Sequence, residues 1–121
     1  MGTHVLVVDD SSVARKILIR AFPRDWVVEI AQAADGAQAL EAYRARRPDV
    51  IFLDLNMPVM DGYQVLEALR SETNVPPIVV LTGDIQPIAE ERVRAAGAVA
   101  FLKKPLAEGV LAGLLDAHGL R

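Results

Sequence analysis

Charged and hydroxyl side chains stand at the ends of successive apolar runs in this chain. Asp9 and Asp10 follow VLVV, Asp54 follows VIFL, Thr82 follows IVVL, and Lys103-Lys104-Pro105 follow VAFL. Three carboxylates held within a few ångströms repel by roughly 1 kcal/mol per pair in water, and by several times that in a drier site. Either their pKa values rise or a cation sits among them. Oxygen donors with no Cys and no nearby His suit a hard ion, Mg²⁺ more than Zn²⁺.

Mg²⁺ uses one or two carboxylates, keeps waters, and leaves positions open for a phosphoryl oxygen. A phosphoryl group arriving there needs its remaining charge met by a lysine and a hydroxyl donor, which Lys104 and Thr82 supply. A carboxylate is ionised at neutral pH without help from a base, so it can itself be the nucleophile. Catalysis then rests on positioning and electrostatics. Each piece alone has a plainer meaning: an Asp after a strand as a helix cap, Thr82-Gly83 as a turn, a lysine as a solvated charge. Complementary groups on four strand ends carry the argument.

The elements that must position these groups follow from the apolar pattern. Strands are expected at Val5–Val8, Trp26–Ala31, Val50–Leu53, Ile78–Leu81 and Val99–Leu102. Helices are expected at Ser12–Phe22, Ala37–Arg46, Tyr63–Glu72, Pro87–Ala96 and Glu108–His118. The first helix is expected to turn Val13, Ile17, Leu18 and Ala21 inward, capped by Ser11 or Ser12. Leu40 and Tyr43 face inward from the second helix, Val65, Leu66 and Leu69 from the third, and Val110, Leu111, Leu114 and Leu115 from the last. Unalternating apolar strands separated by helices predict a doubly wound α/β domain with a five-stranded parallel sheet. Such sheets place their sites at the carboxyl ends of the strands, so the first, third, fourth and fifth strands can converge their polar groups. The second strand, ending near Gln32, offers nothing evident.

The 121 residues suffice for one domain, residues 1–121, and 52% are hydrophobic, enough for a core without staples. With no cysteine, a disulfide framework, thiolate zinc and a cysteine nucleophile are excluded. The apolar runs are too short to span a bilayer, and Leu6 stands where a myristoylation motif needs Ser or Thr. A net charge of −3 argues against non-specific binding to nucleic acid or anionic membrane.

VLVVDDS, VIFLDLNMPVMDG, IVVLTG and AFLKKP, in this order, resemble the receiver domain of two-component response regulators, across nearly the whole chain. The resemblance implies a flavodoxin-like (βα)5 fold with strand order 2-1-3-4-5, and the chain is similar to stand-alone CheY-like receivers in ending just after the fifth helix. It makes Asp54 the phosphoacceptor and implies an Mg²⁺ site (Mn²⁺ as substitute). Asp10, Asp54 and the backbone carbonyl of Asn56 would bind the ion directly, with Asp9 acting through water. Thr82 would hydrogen-bond the phosphoryl group, and Lys104, directly before Pro105, takes the family's lysine role, leaving Lys103 an exposed neighbour. The family's Lys-Pro bond is cis, a geometry that aims a side chain.

Phe101 occupies the family's aromatic switch position, coupled to Thr82, so that phosphorylation would reshape the face of the fourth helix, fifth strand and fifth helix. Gly83 leaves room for the ring and the phosphate, and Asn56 and Asp84 would flank the attacking-water path and favour fairly quick self-dephosphorylation. The implied partners are a histidine kinase or phosphotransfer protein and an output protein or domain, in the cytoplasm, with a monomer expected and a weak dimer on phosphorylation as the variant.

Three other readings compete. FLDLN resembles the aspartyl-phosphate hydrolases of the haloacid dehalogenase class, but Asn56 stands where that motif needs a second Asp. A flavodoxin-type cofactor loop would be rich in Ser, Thr and Gly where this one is acidic, and no Gly-x-Gly-x-x-Gly follows a strand. A receiver-like scaffold that no longer accepts phosphate would lack the acceptor, the acidic pair or the lysine, and all are present.

Overall fold

The computed structural model describes residues 2–55, 62–72, 75–83, 87–104, 106 and 109–120. Five strands and five helices alternate: β1 (Thr3–Val8), α1 (Ser12–Ala21), β2 (Val28–Ala33), α2 (Gly36–Ala45), β3 (Val50–Asp54), α3 (Gly62–Arg70), β4 (Ile78–Thr82), α4 (Pro87–Ala95), β5 (Ala100–Lys103) and α5 (Val110–Ala117). The strands pair in parallel in the order β2-β1-β3-β4-β5. This is the doubly wound parallel sheet that the apolar runs predict, in the flavodoxin-like strand order that the resemblance implies.

Every residue of β3 and β4 is buried, because helices cover both faces of the sheet. Alternate strand residues feed two cores. Leu6, Val8, Ile51, Leu53 and Val80 pack with Val65, Leu66 and Leu69 of α3 and Val93 of α4. Val5, Val7, Phe52, Val79 and Leu81 pack with Leu18 of α1 and with Leu111 and Leu115 of α5.

The helix ends follow local chemistry. Ser11 Oγ accepts from the Ala14 amide at 3.1 Å, so Ser11 rather than Ser12 caps α1. Asp35 caps α2 through the Gln38 amide at 2.8 Å, while Gln38 Oε1 reaches back to the Ala34 amide at 2.9 Å.

Two expected orientations are corrected. In α1 only Leu18 is buried, whereas Val13 is 63% and Ile17 57% exposed, and Ala21 is exposed as well. Leu18 keeps its expected place, and its inward companions are Phe22 and the partly buried Ile19 in place of Val13, Ile17 and Ala21. In α5, Leu111 and Leu115 are buried and Leu114 partly so, but Val110 is exposed. The second strand also begins two residues later than expected. Trp26 packs edge-on to Phe22, ring centroids 5.1 Å apart, and belongs to the core without joining the sheet.

Candidate functional site

The site is assembled at the carboxyl edge of the sheet, by backbone bonds that continue the ladders just past the strand ends. The Asp9 amide donates to the Ala33 carbonyl at 3.1 Å, which carries the β1–β2 pairing into the acidic loop. Asp54 is the last residue of β3, in register with Leu81, and the Leu55 amide donates to the Leu81 carbonyl at 3.3 Å. Thr82 closes β4 fully buried, and its carbonyl accepts the Lys104 amide at 2.8 Å. That bond fixes the chain just beyond β5, so Lys103 faces outward and Lys104 turns into the site.

Asp9, Asp10 and Asp54 each place a carboxylate oxygen within 4.8 Å of the others. Asp9 and Asp54 are buried and Asp10 is exposed at the mouth. Both Asp9 oxygens are engaged: Oδ1 accepts from the Ser11 amide at 3.0 Å and Oδ2 from Lys104 Nζ at 2.5 Å. The same ammonium lies 3.5 Å from Asp54 Oδ1. Burial alone would lower the pKa of Lys104. The hydrogen bond to Asp9 and the charges of Asp54 and Asp9 outweigh that burial and hold the pKa above its ordinary value of 10.5. The lysine is therefore charged at any physiological pH.

Three carboxylates, two buried and one exposed, offset by one ammonium fit a hard divalent cation, since oxygen donors alone, at this spacing, match Mg²⁺ chemistry. Asp10→Asn removes one repulsive charge, so without cation it is expected to raise the melting temperature by roughly 2–5 °C. The same variant is expected to bind Mg²⁺ more weakly. Thermal melts with chelator and with excess Mg²⁺ check both signs.

Of the residues expected to act, Asp9, Asp10, Asp54, Thr82 and Lys104 meet at this edge. Phe101 lies in β5 opposite Val80, partly buried against the α3/α4 core. A Cβ added to Gly83 would meet nothing within 4 Å, which agrees with open space there. Asn56, Asp84 and Pro105 lie outside the described residues. Trp26 sits before β2, at the opposite end of the sheet from the carboxylates.

Two residues at the edge escaped the sequence reading. Arg15 of α1 donates from Nη1 to the Asp9 carbonyl at 2.6 Å and from Nε to Gln32 Oε1 at 2.8 Å. The second strand therefore does contribute to the site's surroundings. The available signal was a basic residue one turn into the helix that follows an acidic pair, which alone does not say what it holds.

A parallel α/β sheet with an acidic pocket and a lysine at its carboxyl edge defines a class of domain, and comparison with known proteins places the chain within it. Residues 5–116 match the response regulator receiver domain, and the chain belongs to that family. It is 44% identical over 104 residues to the transcriptional regulatory protein PrrA of Mycobacterium tuberculosis, covering 84% of this chain and 43% of that protein. It is 42% identical over 105 residues to protein-glutamate methylesterase/protein-glutamine glutaminase 2 of Anaeromyxobacter dehalogenans, covering 86% of this chain and 30% of that protein. The chain thus spans less than half the length of these relatives. The solved chemotaxis response regulator CheY4 of Vibrio cholerae superposes with a TM-score of 0.86 at 34% identity, covering 97% of this chain and 98% of that one. Receiver domains are phosphoacceptor signalling domains of two-component systems, not classical enzymes, and they bind Mg²⁺ at an acidic pocket. Among the described residues, no helix is long and apolar enough to cross a membrane.

Proposed function

We propose that residues 1–121 act as one receiver unit whose phosphoacceptor is Asp54, taking the phosphoryl group from the phosphohistidine of a kinase or phosphotransfer protein. The observation that carries this reading is the convergence of three carboxylates with Lys104 bridging two of them. An Asp54 carboxylate oxygen attacks phosphorus, the phosphorus–nitrogen bond to the donor imidazole breaks, and the imidazole keeps that electron pair. Lys104 and Thr82 meet the charge on the transferred group. Mg²⁺, or Mn²⁺ in its place, would neutralise phosphoryl oxygens when bound.

Asp10, Asp54 and the Asn56 carbonyl are the proposed direct ligands. The engagement of both Asp9 oxygens supports placing Asp9 behind them, acting through water. Beyond its own phosphorylation and dephosphorylation, with Asn56 and Asp84 beside the attacking water, the chain is proposed to catalyse nothing. Thr82 and Phe101 carry the change to the face of α4, β5 and α5, where an output protein or domain reads it. The phosphoryl group does so by binding one of two conformations better than the other. Family membership supports a cytoplasmic location; the chain is proposed to be a monomer, with a weak dimer on phosphorylation as the variant.

A donor protein that brings its histidine to Asp54 must rest on what surrounds the pocket. Val13 and Ile17 stand exposed there, beside a cavity of about 320 Å³ lined by Ala14, Ile17, Leu18, Leu81, Lys104 and Leu106. Ile17→Glu is expected to slow transfer from a protein phosphodonor about tenfold, as a charge against an apolar contact costs on the order of 1–2 kcal/mol. Labelling by a small acyl phosphate with Mg²⁺ should stay within a factor of two of wild type. Mass spectrometry of the intact chain reads both reactions, and a chelator should abolish the second. Labelling that survives chelation would overturn the proposed cation role.

A further inference from the structure

The loop bearing Asp9 and Asp10 is braced from outside the acidic cluster as well as from within it. Arg15 turns its side chain back toward the start of α1, the direction helical side chains favour. Its guanidinium makes two bonds at once, to the Asp9 carbonyl at 2.6 Å and to Gln32 Oε1 on β2 at 2.8 Å. A planar guanidinium presents its donors in a fixed fork, so two bonds set its rotation as well as its place.

The Asp9 carbonyl and the Asp10 amide belong to one rigid, planar peptide unit. Holding that carbonyl therefore sets the direction in which Asp10 leaves the loop. Asp9 has little need of such help, since its amide and both carboxylate oxygens are already bonded. Asp10 is exposed, and its aim depends on the peptide plane.

We propose that Arg15 and Gln32 are a positioning pair that aims Asp10 into the cation site. The inference rests on the cation reading above. Charge and bracing have opposite signs here. A positive side chain beside a divalent site weakens binding by repulsion, whereas a brace that orders a ligand strengthens it. Arg15→Lys keeps the charge but cannot make both bonds of the fork, and Gln32→Ala leaves Arg15 charged but half anchored.

The test is a titration of the unphosphorylated full chain with MgCl₂ at fixed ionic strength, followed through the amide resonances of Asp10 and Ser11. Arg15→Lys is expected to bind about 3- to 10-fold more weakly than wild type, and Gln32→Ala about 2- to 4-fold more weakly. The double variant should be no weaker than Arg15→Lys alone, because Gln32 acts through Arg15. Gln32→Glu, which keeps an acceptor for Nε, should retain wild-type affinity or better. Thermal melts of all four should match wild type, which separates lost aim from lost fold. Wild-type affinity in both single variants, or losses that multiply in the double variant, would overturn the pair. If wild type shows no saturable shift, the cation reading falls and the inference with it.

Discussion

Asp54→Asn is expected to abolish labelling by a small acyl phosphate in the presence of Mg²⁺. The amide is neutral and its nitrogen lone pair is delocalised, so the variant has no nucleophile at the end of β3. The substitution is nearly isosteric at a buried position, and it removes one of three mutually repelling carboxylates. The variant should therefore fold, and without cation it should be no less stable than wild type. Loss of labelling can then be assigned to chemistry. Intact-mass measurement checks the first point and a thermal melt the second; retained labelling would show that another residue accepts the phosphoryl group.

Lys104→Ala should separate phosphorylation from its consequences. Asp54 keeps its nucleophilic oxygen, so labelling persists at a reduced rate, while the conformational response weakens because the group that answers the phosphoryl charge is gone. Resonance shifts of Phe101 on phosphorylation would read that response. Stability changes too. Lys104 Nζ is 2.5 Å from Asp9 Oδ2, an oxygen on a side chain only 9% exposed, and removing the donor is expected to cost about 1–3 kcal/mol in chelator. Excess Mg²⁺ should narrow that gap.

The same lysine fixes the sign of a pH effect. Its pKa in the folded chain lies above the ordinary 10.5, so its stabilising contribution is complete below pH 10.5 and is lost as pH rises through the folded value. Wild type in chelator should lose stability on that alkaline limb more steeply than Lys104→Ala. Denaturant midpoints measured across the limb check this.

What the sequence made legible was whatever a one-dimensional pattern encodes. Short, β-branched-rich apolar runs such as Val50–Leu53, alternating with longer amphipathic stretches, read as strands covered on both faces, and a parallel sheet puts their ends on one edge. Asp9, Asp10, Asp54, Thr82 and Lys104 follow such runs in the sequence, so one edge of the sheet collects all five. The resemblance at Pro105 separated Lys104 from Lys103, and the structure turns the two in different directions.

The misses have physical causes. Val13 and Ile17 are as apolar as Ile19 and Phe22, so either set fitted the pattern beside Leu18, and only packing against the sheet chooses between them. Trp26 resembles a strand residue by type, but its ring fills the space beside Phe22 and the ladder starts at Val28. The Arg15–Gln32 bond joins side chains 17 residues apart on different elements, and no spacing rule announces it.

The central claim is that Asp54, and no other carboxylate of the acidic cluster, carries the phosphoryl group. An acyl phosphate is reduced by borohydride to the alcohol with release of phosphate, so the phosphorylated aspartate becomes homoserine. The chain labelled with a small acyl phosphate and Mg²⁺, reduced, and mapped by peptide mass spectrometry is predicted to show homoserine at position 54 alone. Homoserine at position 9 or 10, or none in a chain that gained a phosphoryl mass, would contradict it.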